Sequence, residues 1–130
     1  MKFTLGRQIP LWSACSFPNC LIREGKIQTV AYRDPSDIRA RTAIGINLEQ
    51  TELIILVIDG GDYNVKRGAN FLETTQILQD NGAWLGIMGD GGGSTTLVKQ
   101  GPEIVNVPCG ENYDHQRSVA QHMGIQLKGV

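Results

Sequence analysis

Hydrophobic positions in this chain fall into short runs separated by turn residues. Leu53-Ile54-Ile55-Leu56-Val57-Ile58 is apolar at six consecutive positions and closes on Asp59-Gly60-Gly61. A branched run of this length predicts a strand covered on both faces, hence a central one. Arg41-Thr42-Ala43-Ile44-Gly45-Ile46-Asn47 predicts a second strand, with the polar segment 48–52 as the hairpin loop between them. Residues 84–88 predict a third buried strand leading to Gly89-Asp90. Only residues 71–81 suit a helix. Phe71, Leu72, Thr75 and Leu78 cluster on one face, Asn70 and Glu73 have capping-box spacing, and Gly82 can end the helix in a left-handed conformation. Strand, helix and strand in this order predict one crossover unit with parallel pairing.

The flanking segments predict smaller elements. Residues 21–28 read as a tight hairpin turning at Gly25, with 29–32 prolonging its second strand and 33–37 forming a loop. Segments 95–99 and 104–107 form a late hairpin around Gly101-Pro102, and a last strand runs from Arg117 to near Leu127. Towards the N-terminus, 3–9 suit an edge strand stopped by Pro10, and Leu11-Trp12 is an apolar anchor. Ser13-Ala14-Cys15-Ser16-Phe17 is a small-residue run closed by a turn at Pro18-Asn19. The expected fold is α+β: a mixed sheet with one principal helix, in a single domain over 1–130.

Composition narrows the function. One hundred and thirty residues, 41% hydrophobic and 19% charged, describe one globular domain. Sixteen glycines are well above the usual usage of roughly 7% and favour turns between short strands. A net charge of −1, no cluster of Lys or Arg, and 6% aromatics argue against a nucleic-acid surface. Cys15, Cys20 and Cys109 lack the two-pair spacing of a structural zinc site, and buried free thiols are the expected state. No metal and no cofactor are expected. Met1-Lys2-Phe3 leads into no long apolar run, so neither a signal peptide nor a membrane span is expected. The chain would then act in the cytoplasm where it is made, or be carried by a larger assembly such as a virion.

The candidate chemistry lies around Gly89-Asp90-Gly91-Gly92-Gly93-Ser94-Thr95-Thr96. Three consecutive glycines let a backbone turn tightly and approach a ligand, and such a turn can point its amides at one anion. Ser94 stands where a dinucleotide fingerprint needs its last glycine, Thr95-Thr96-Leu97-Val98 favours a strand over a helix, and no Gly-Lys-Ser/Thr is present. Dinucleotide and P-loop readings therefore fail. Asp90 and Asp59 both stand where a buried strand meets glycines, and two such ends in one small domain predict a shared cleft. His115, His122, Glu49, Glu52 and Asp62 are expected to be structural or solvated.

Four motifs occur in order: Arg41-Thr42-Ala43-Ile44-Gly45, the strand ending in Asp59-Gly60, Asp90-Gly91-Gly92-Gly93-Ser94-Thr95-Thr96, and Arg117-x-Val119-Ala120. Together they resemble the phosphodiester glycosidase family from about Ser13 to the C-terminus. The family often has Asn-Gly-Gly-Phe-Phe or Asn-Ala-Ser where Ser13 to Phe17 stand, and Arg-Pro-Val-Ala-Asn where Ser118 and Gln121 interrupt the last motif. Its opening strands are largely missing. The resemblance implies hydrolysis of a sugar-1-phosphodiester such as an N-acetylglucosamine-1-phosphodiester, or of a cell-surface glycan. Glycoside hydrolysis commonly needs two carboxyl groups. Asp90 would be the base or nucleophile and Asp59 its partner, with Arg41 and Arg117 holding phosphate. The amides of Gly91, Gly92 and Gly93 and the hydroxyl of Ser94 would add contacts. Similar domains occur in phage tail proteins, so a catalytically eroded structural or carbohydrate-binding component, in a homo-oligomer or virion, is the alternative.

Overall fold

The computed structural model describes residues 17, 19–61, 66–101, 103–109 and 116–125. The expected strand 3–9, the Leu11-Trp12 anchor, residues 13–16, Asp62 and His115 lie outside them. Within them, β1 (Asn19–Arg23) and β2 (Lys26–Ile27) form a hairpin, followed by β3 (Arg41–Ile46), β4 (Leu53–Ile58), α1 (Phe71–Asp80) and β5 (Leu85–Met88). A short late pair, β6 (Val98–Lys99) and β7 (Glu103–Ile104), completes the order. The sheet runs β2-β1-β5-β3-β4, and β6 pairs β7 apart from it. The α+β class with one principal helix is as the sequence predicts.

Local chemistry explains the elements. The hairpin turns through Glu24 and Gly25, with φ of 52° and 71°, the left-handed pair that matches the twist of two antiparallel strands. Asn70 accepts from the Glu73 amide, and the Glu73 carboxylate accepts from the Asn70 amide in return, both at 2.9 Å. A cap of this kind stabilises a helix start by about 1 kcal/mol. Gly82 follows the helix at φ 91°. Phe71, Thr74, Thr75 and Leu78 are buried, and both threonine hydroxyls donate to carbonyls four residues back.

Two glycines set how closely the helix approaches. Gly45 of β3 is paired with Gly86 of β5. A Cβ on Gly86 would lie 2.8 Å from Leu78 Cδ2, and one on Gly45 would lie 2.8 Å from the Ala83 methyl and 3.1 Å from Leu78. Leu78 is thereby fully buried, in a core with Leu21, Ile22, Ala43, Phe71, Ala83 and Met88.

Four expectations need correction. Strand 53–58 is at the edge of the described sheet, paired only with β3, and Leu53 and Ile55 are 52% and 38% exposed. β1, β5 and β3 are the inner strands instead, and in β3 and β5 the glycines that admit α1 dilute the apolar signal. Parallel pairing across the crossover is not found. β4 and β5 run in the same direction, but β3 lies between them and is antiparallel to both. Residues 29–32 leave the hairpin as a 3₁₀ turn, because Ala31 N–H returns to the Gln28 carbonyl and its methyl is wholly buried. Residues 116–125 contain no strand and are largely exposed. The late hairpin is present but short, since Leu97 N–H donates to the Asn106 side chain and not to a backbone carbonyl. Among the described residues, no helix is long and apolar enough to cross a membrane.

Candidate active site

Strand direction brings the acids to one end of the sheet. β3 begins where β4 and β5 end: Arg41 is paired with Ile58, and Ala43 with Met88. Asp59 follows directly from β4, and Asp90 lies two residues beyond β5. The glycines after the acids then meet on opposite sides of one residue, Ala40. A Cβ on Gly60 would lie 2.3 Å from Ala40 N, and one on Gly91 would lie 2.8 Å from Ala40 O. Gly92 N–H donates to that carbonyl at 2.8 Å. Ala40 is 1% exposed, so both acidic strand ends are pressed against one buried segment. Their glycines are needed because a side chain there would collide with backbone, which cannot move aside.

The two carboxylates are held differently. Asp59 is half-buried, and its Oδ1 accepts from Val107 N–H at 3.0 Å and Asn106 Nδ2 at 3.2 Å. Asn106 also donates to the Thr95 carbonyl at 3.1 Å. Thr95 is itself fully buried, its hydroxyl 3.4 Å from that of Thr42. Asp90, by contrast, has a side chain 79% exposed. Its Oδ1 accepts from Gly91 N–H at 2.9 Å. The Ser94 hydroxyl first, then the Gly91 amide and the Arg117 charge, hold its carboxyl below the usual range against the opposing effect of partial burial. Arg117 donates to Ser94 Oγ and stands 3.9 Å from Asp90 Oδ2. The result is an ionised, solvent-facing carboxylate beside an exposed guanidinium.

The glycine loop is largely closed on itself. Gly91 N–H is taken by Asp90 and Gly92 N–H by Ala40, while Ser94 and Thr95 N–H return to the Gly91 and Gly92 carbonyls. Residues Gly92–Ser94 form a 3₁₀ turn, entered with Gly92 at φ 60°. The amides of Gly91 and Gly92 are thus already committed, which leaves Gly93 as the glycine whose amide is not used in these contacts. Arg41 is placed at the same end but on the helix side. Its side chain is 5% exposed, Nε donates to the Ala69 carbonyl at 2.8 Å, Nη2 bonds Asp37, and the guanidinium lies 4.7 Å from the Phe71 ring centroid. Its stem passes beneath Gly91, 3.8 Å from a Cβ placed there. Arg41 braces the loop from below.

Neither Cys109 nor His122 adds to this chemistry. Burial, reinforced by the Asp59 charge, pushes the Cys109 thiol up despite Arg117 and Lys66, so it is a neutral thiol and not a nucleophile. His122 is exposed. Among the described residues, no group of three or more His, Cys, Asp or Glu side chains is placed to hold a metal ion.

This geometry, in which two Asp-Gly strand ends close on one buried residue, coincides with a family assignment. The sequence pattern of the phosphodiester glycosidases matches residues 5–126. The chain belongs to that family. A solved structure of the zebrafish N-acetylglucosamine-1-phosphodiester alpha-N-acetylglucosaminidase catalytic domain, auto-inhibited by its pro-peptide, aligns with a TM-score of 0.64 at 26% identity over 80% of this chain. A hypothetical protein from Synechocystis aligns with a TM-score of 0.50 at 24% identity over 67%, a likeness of fold alone. The chain spans 39% of the zebrafish structure's length and 17% of the Synechocystis one. None of the curated proteins matches.

Asn106 escaped the sequence reading, which took Thr42 and Thr95 only as members of their motifs. The available signal for Asn106 was one amide between Val105 and Val107 in an otherwise apolar strand-like run, where a polar side chain needs a partner.

Proposed function

We propose that this domain hydrolyses the glycosidic bond of a sugar-1-phosphodiester, with an N-acetylglucosamine-1-phosphodiester as the first substrate to try. The observation that carries this reading is the Asp90 carboxylate. It is exposed and kept ionised by Ser94, Gly91 and Arg117, at the same end of the sheet as Asp59. The family and the zebrafish relative support the reaction class.

An ionised carboxylate suits the base or nucleophile and not the proton donor. Asp90 attacks the anomeric carbon to form a glycosyl-enzyme that water then hydrolyses, releasing the sugar and restoring the carboxylate, or it takes a proton from a water that attacks directly. The bond from that carbon to the phosphate oxygen breaks, and its electron pair leaves with the phosphate. Because phosphate is a good leaving group, little proton donation is required. Asp59, half-buried and held by two hydrogen bonds at Oδ1, is the partner carboxylate for the sugar or the departing oxygen. Arg117 supplies the charge that meets the phosphate, since a guanidinium can grip two of its oxygens. Ser94 sits between Arg117 and Asp90 and reaches a sugar hydroxyl. Arg41 supports this arrangement from beneath.

One observation favours a second reading. Arg41, the first phosphate candidate, is buried on the helix side, as expected if the domain keeps the scaffold and serves as a structural or glycan-binding part of a larger assembly, such as a virion. A hydrolysis assay on an N-acetylglucosamine-1-phosphodiester, with the purified chain sized in parallel, separates them. Turnover that Asp90→Asn abolishes supports the hydrolase. A stable multimer with no turnover rejects it in favour of the structural part.

A further inference from the structure

We infer that Asn106 is a positioning residue of this site, acting through Asp59. The inference rests on the hydrolase reading for its kinetic consequence, but its geometry stands independently.

Asn106 touches three groups, and their chemistry dictates which way its amide faces. Leu97 N–H is a donor, so Oδ1 must face it, at 2.7 Å. The Thr95 carbonyl, at 3.1 Å, can only accept, so Nδ2 must face that side. The second N–H of the same nitrogen is then directed to Asp59 Oδ1 at 3.2 Å. No other standard side chain of this length offers an acceptor on one branch and two donors on the other. Aspartate would face the Thr95 carbonyl and Asp59 with a second negative charge, and leucine would satisfy none of the three.

The contacts link parts of the chain that are distant in sequence. Asn106 is nine residues from Leu97, eleven from Thr95 and 47 from Asp59. The Thr95 and Leu97 backbone is the exit of the glycine loop that carries Ser94. The amide therefore fixes the Asp59 carboxylate relative to the loop beside Asp90. Val107 N–H, at 3.0 Å, completes the hold on the same oxygen.

Catalysis tolerates little misplacement of a reacting carboxylate. A positioning role predicts that Asn106→Ala loses kcat by about tenfold, the scale of one hydrogen bond to a charged group, with KM kept within about twofold. The distinguishing measurement is a cycle with Asp59→Asn. If Asn106 acts through Asp59, adding Asn106→Ala to Asp59→Asn causes little further loss of kcat. Multiplicative losses, as independent sites give, would overturn the inference, and so would a loss confined to KM. A second measurement needs no activity. One side-chain amide proton of Asn106 should exchange slowly in the parent protein and shift when Asp59 becomes alanine, observed by ¹⁵N-labelled NMR. An amide that exchanges freely and ignores Asp59→Ala overturns the proposal even if the Asn106→Ala variant fails to fold. If the parent turns over no sugar phosphodiester, the hydrolase reading fails while the NMR result still decides the role of Asn106.

Discussion

Asp59 and Asp90 arise from the same local pattern, an apolar strand ending in an acid and glycine, yet the folded chain treats them differently. Asp59 is half-buried and held by a side chain and an amide from the late segment, nearly fifty residues away. Asp90 is exposed and held almost entirely by its own loop, through Gly91 and Ser94, with Arg117 reaching in from the C-terminal segment. One carboxylate is fixed by tertiary structure and the other is kept ionised by local structure. Under the proposed hydrolase reading, two acids have two tasks, and these environments suit different ones.

The sharpest way to break this contrast is Asp90→Asn. The side chain faces solvent, so stability should change by no more than about 0.5 kcal/mol. Turnover of an N-acetylglucosamine-1-phosphodiester should fall by at least about 100-fold, the lower range for losing an acid–base group. Thermal melting and steady-state rates check both halves. Unfolding on this substitution would mean that Asp90 chiefly holds the glycine loop.

Gly60→Ala tests the packing that brings the two ends together. The new methyl would meet Ala40 backbone, and the domain should lose about 1–3 kcal/mol by denaturant titration, as overpacked sites do. Gly92→Ala has open space around it and suffers only from φ 60°. It should cost about 1–2 kcal/mol, and equal large losses at both positions would show that conformation and not collision governs this end.

Arg117→Ala probes the exposed partner of Asp90. KM for the phosphodiester should rise about tenfold, the scale of a charge-assisted contact. The fall of kcat/KM on the acid side should also move to higher pH. The sign follows from the lowered Asp90 value: the ionised form persists as pH falls until its depressed pKa is reached, and removing a positive neighbour raises that point. Ser94→Ala should move the same limb in the same direction, with the larger shift, because its hydrogen bond is the first cause of the depression. A pH profile unchanged in both variants would remove Asp90 as the titrating base.

Much of this protein was legible without coordinates, where neighbours in sequence do the work. The Asn70–Glu73 capping box, the turn at Gly25, the helix face with Phe71 and Leu78, and the acid-glycine strand ends all follow from spacing and backbone preference. The family motifs placed the candidate acids. The apolar run of β4 misled because a row of hydrophobic residues does not say which neighbour pairs with it. Strands β3 and β5 carry Gly45 and Gly86 to admit Leu78, and so look less central than they are.

Sequence by itself determined the Gly25 turn, strands β3 to β5, the capped helix and the two acidic strand ends, because these depend on interactions within a few residues. Only the tertiary structure decided that β3 lies between β4 and β5, that Gly60 and Gly91 meet on Ala40, that Arg41 turns under Phe71, and that Asn106 reaches Asp59. Each of these depends on which distant segments pack together. Antiparallel registry and steric fit at the glycines select that packing, and no local pattern encodes either.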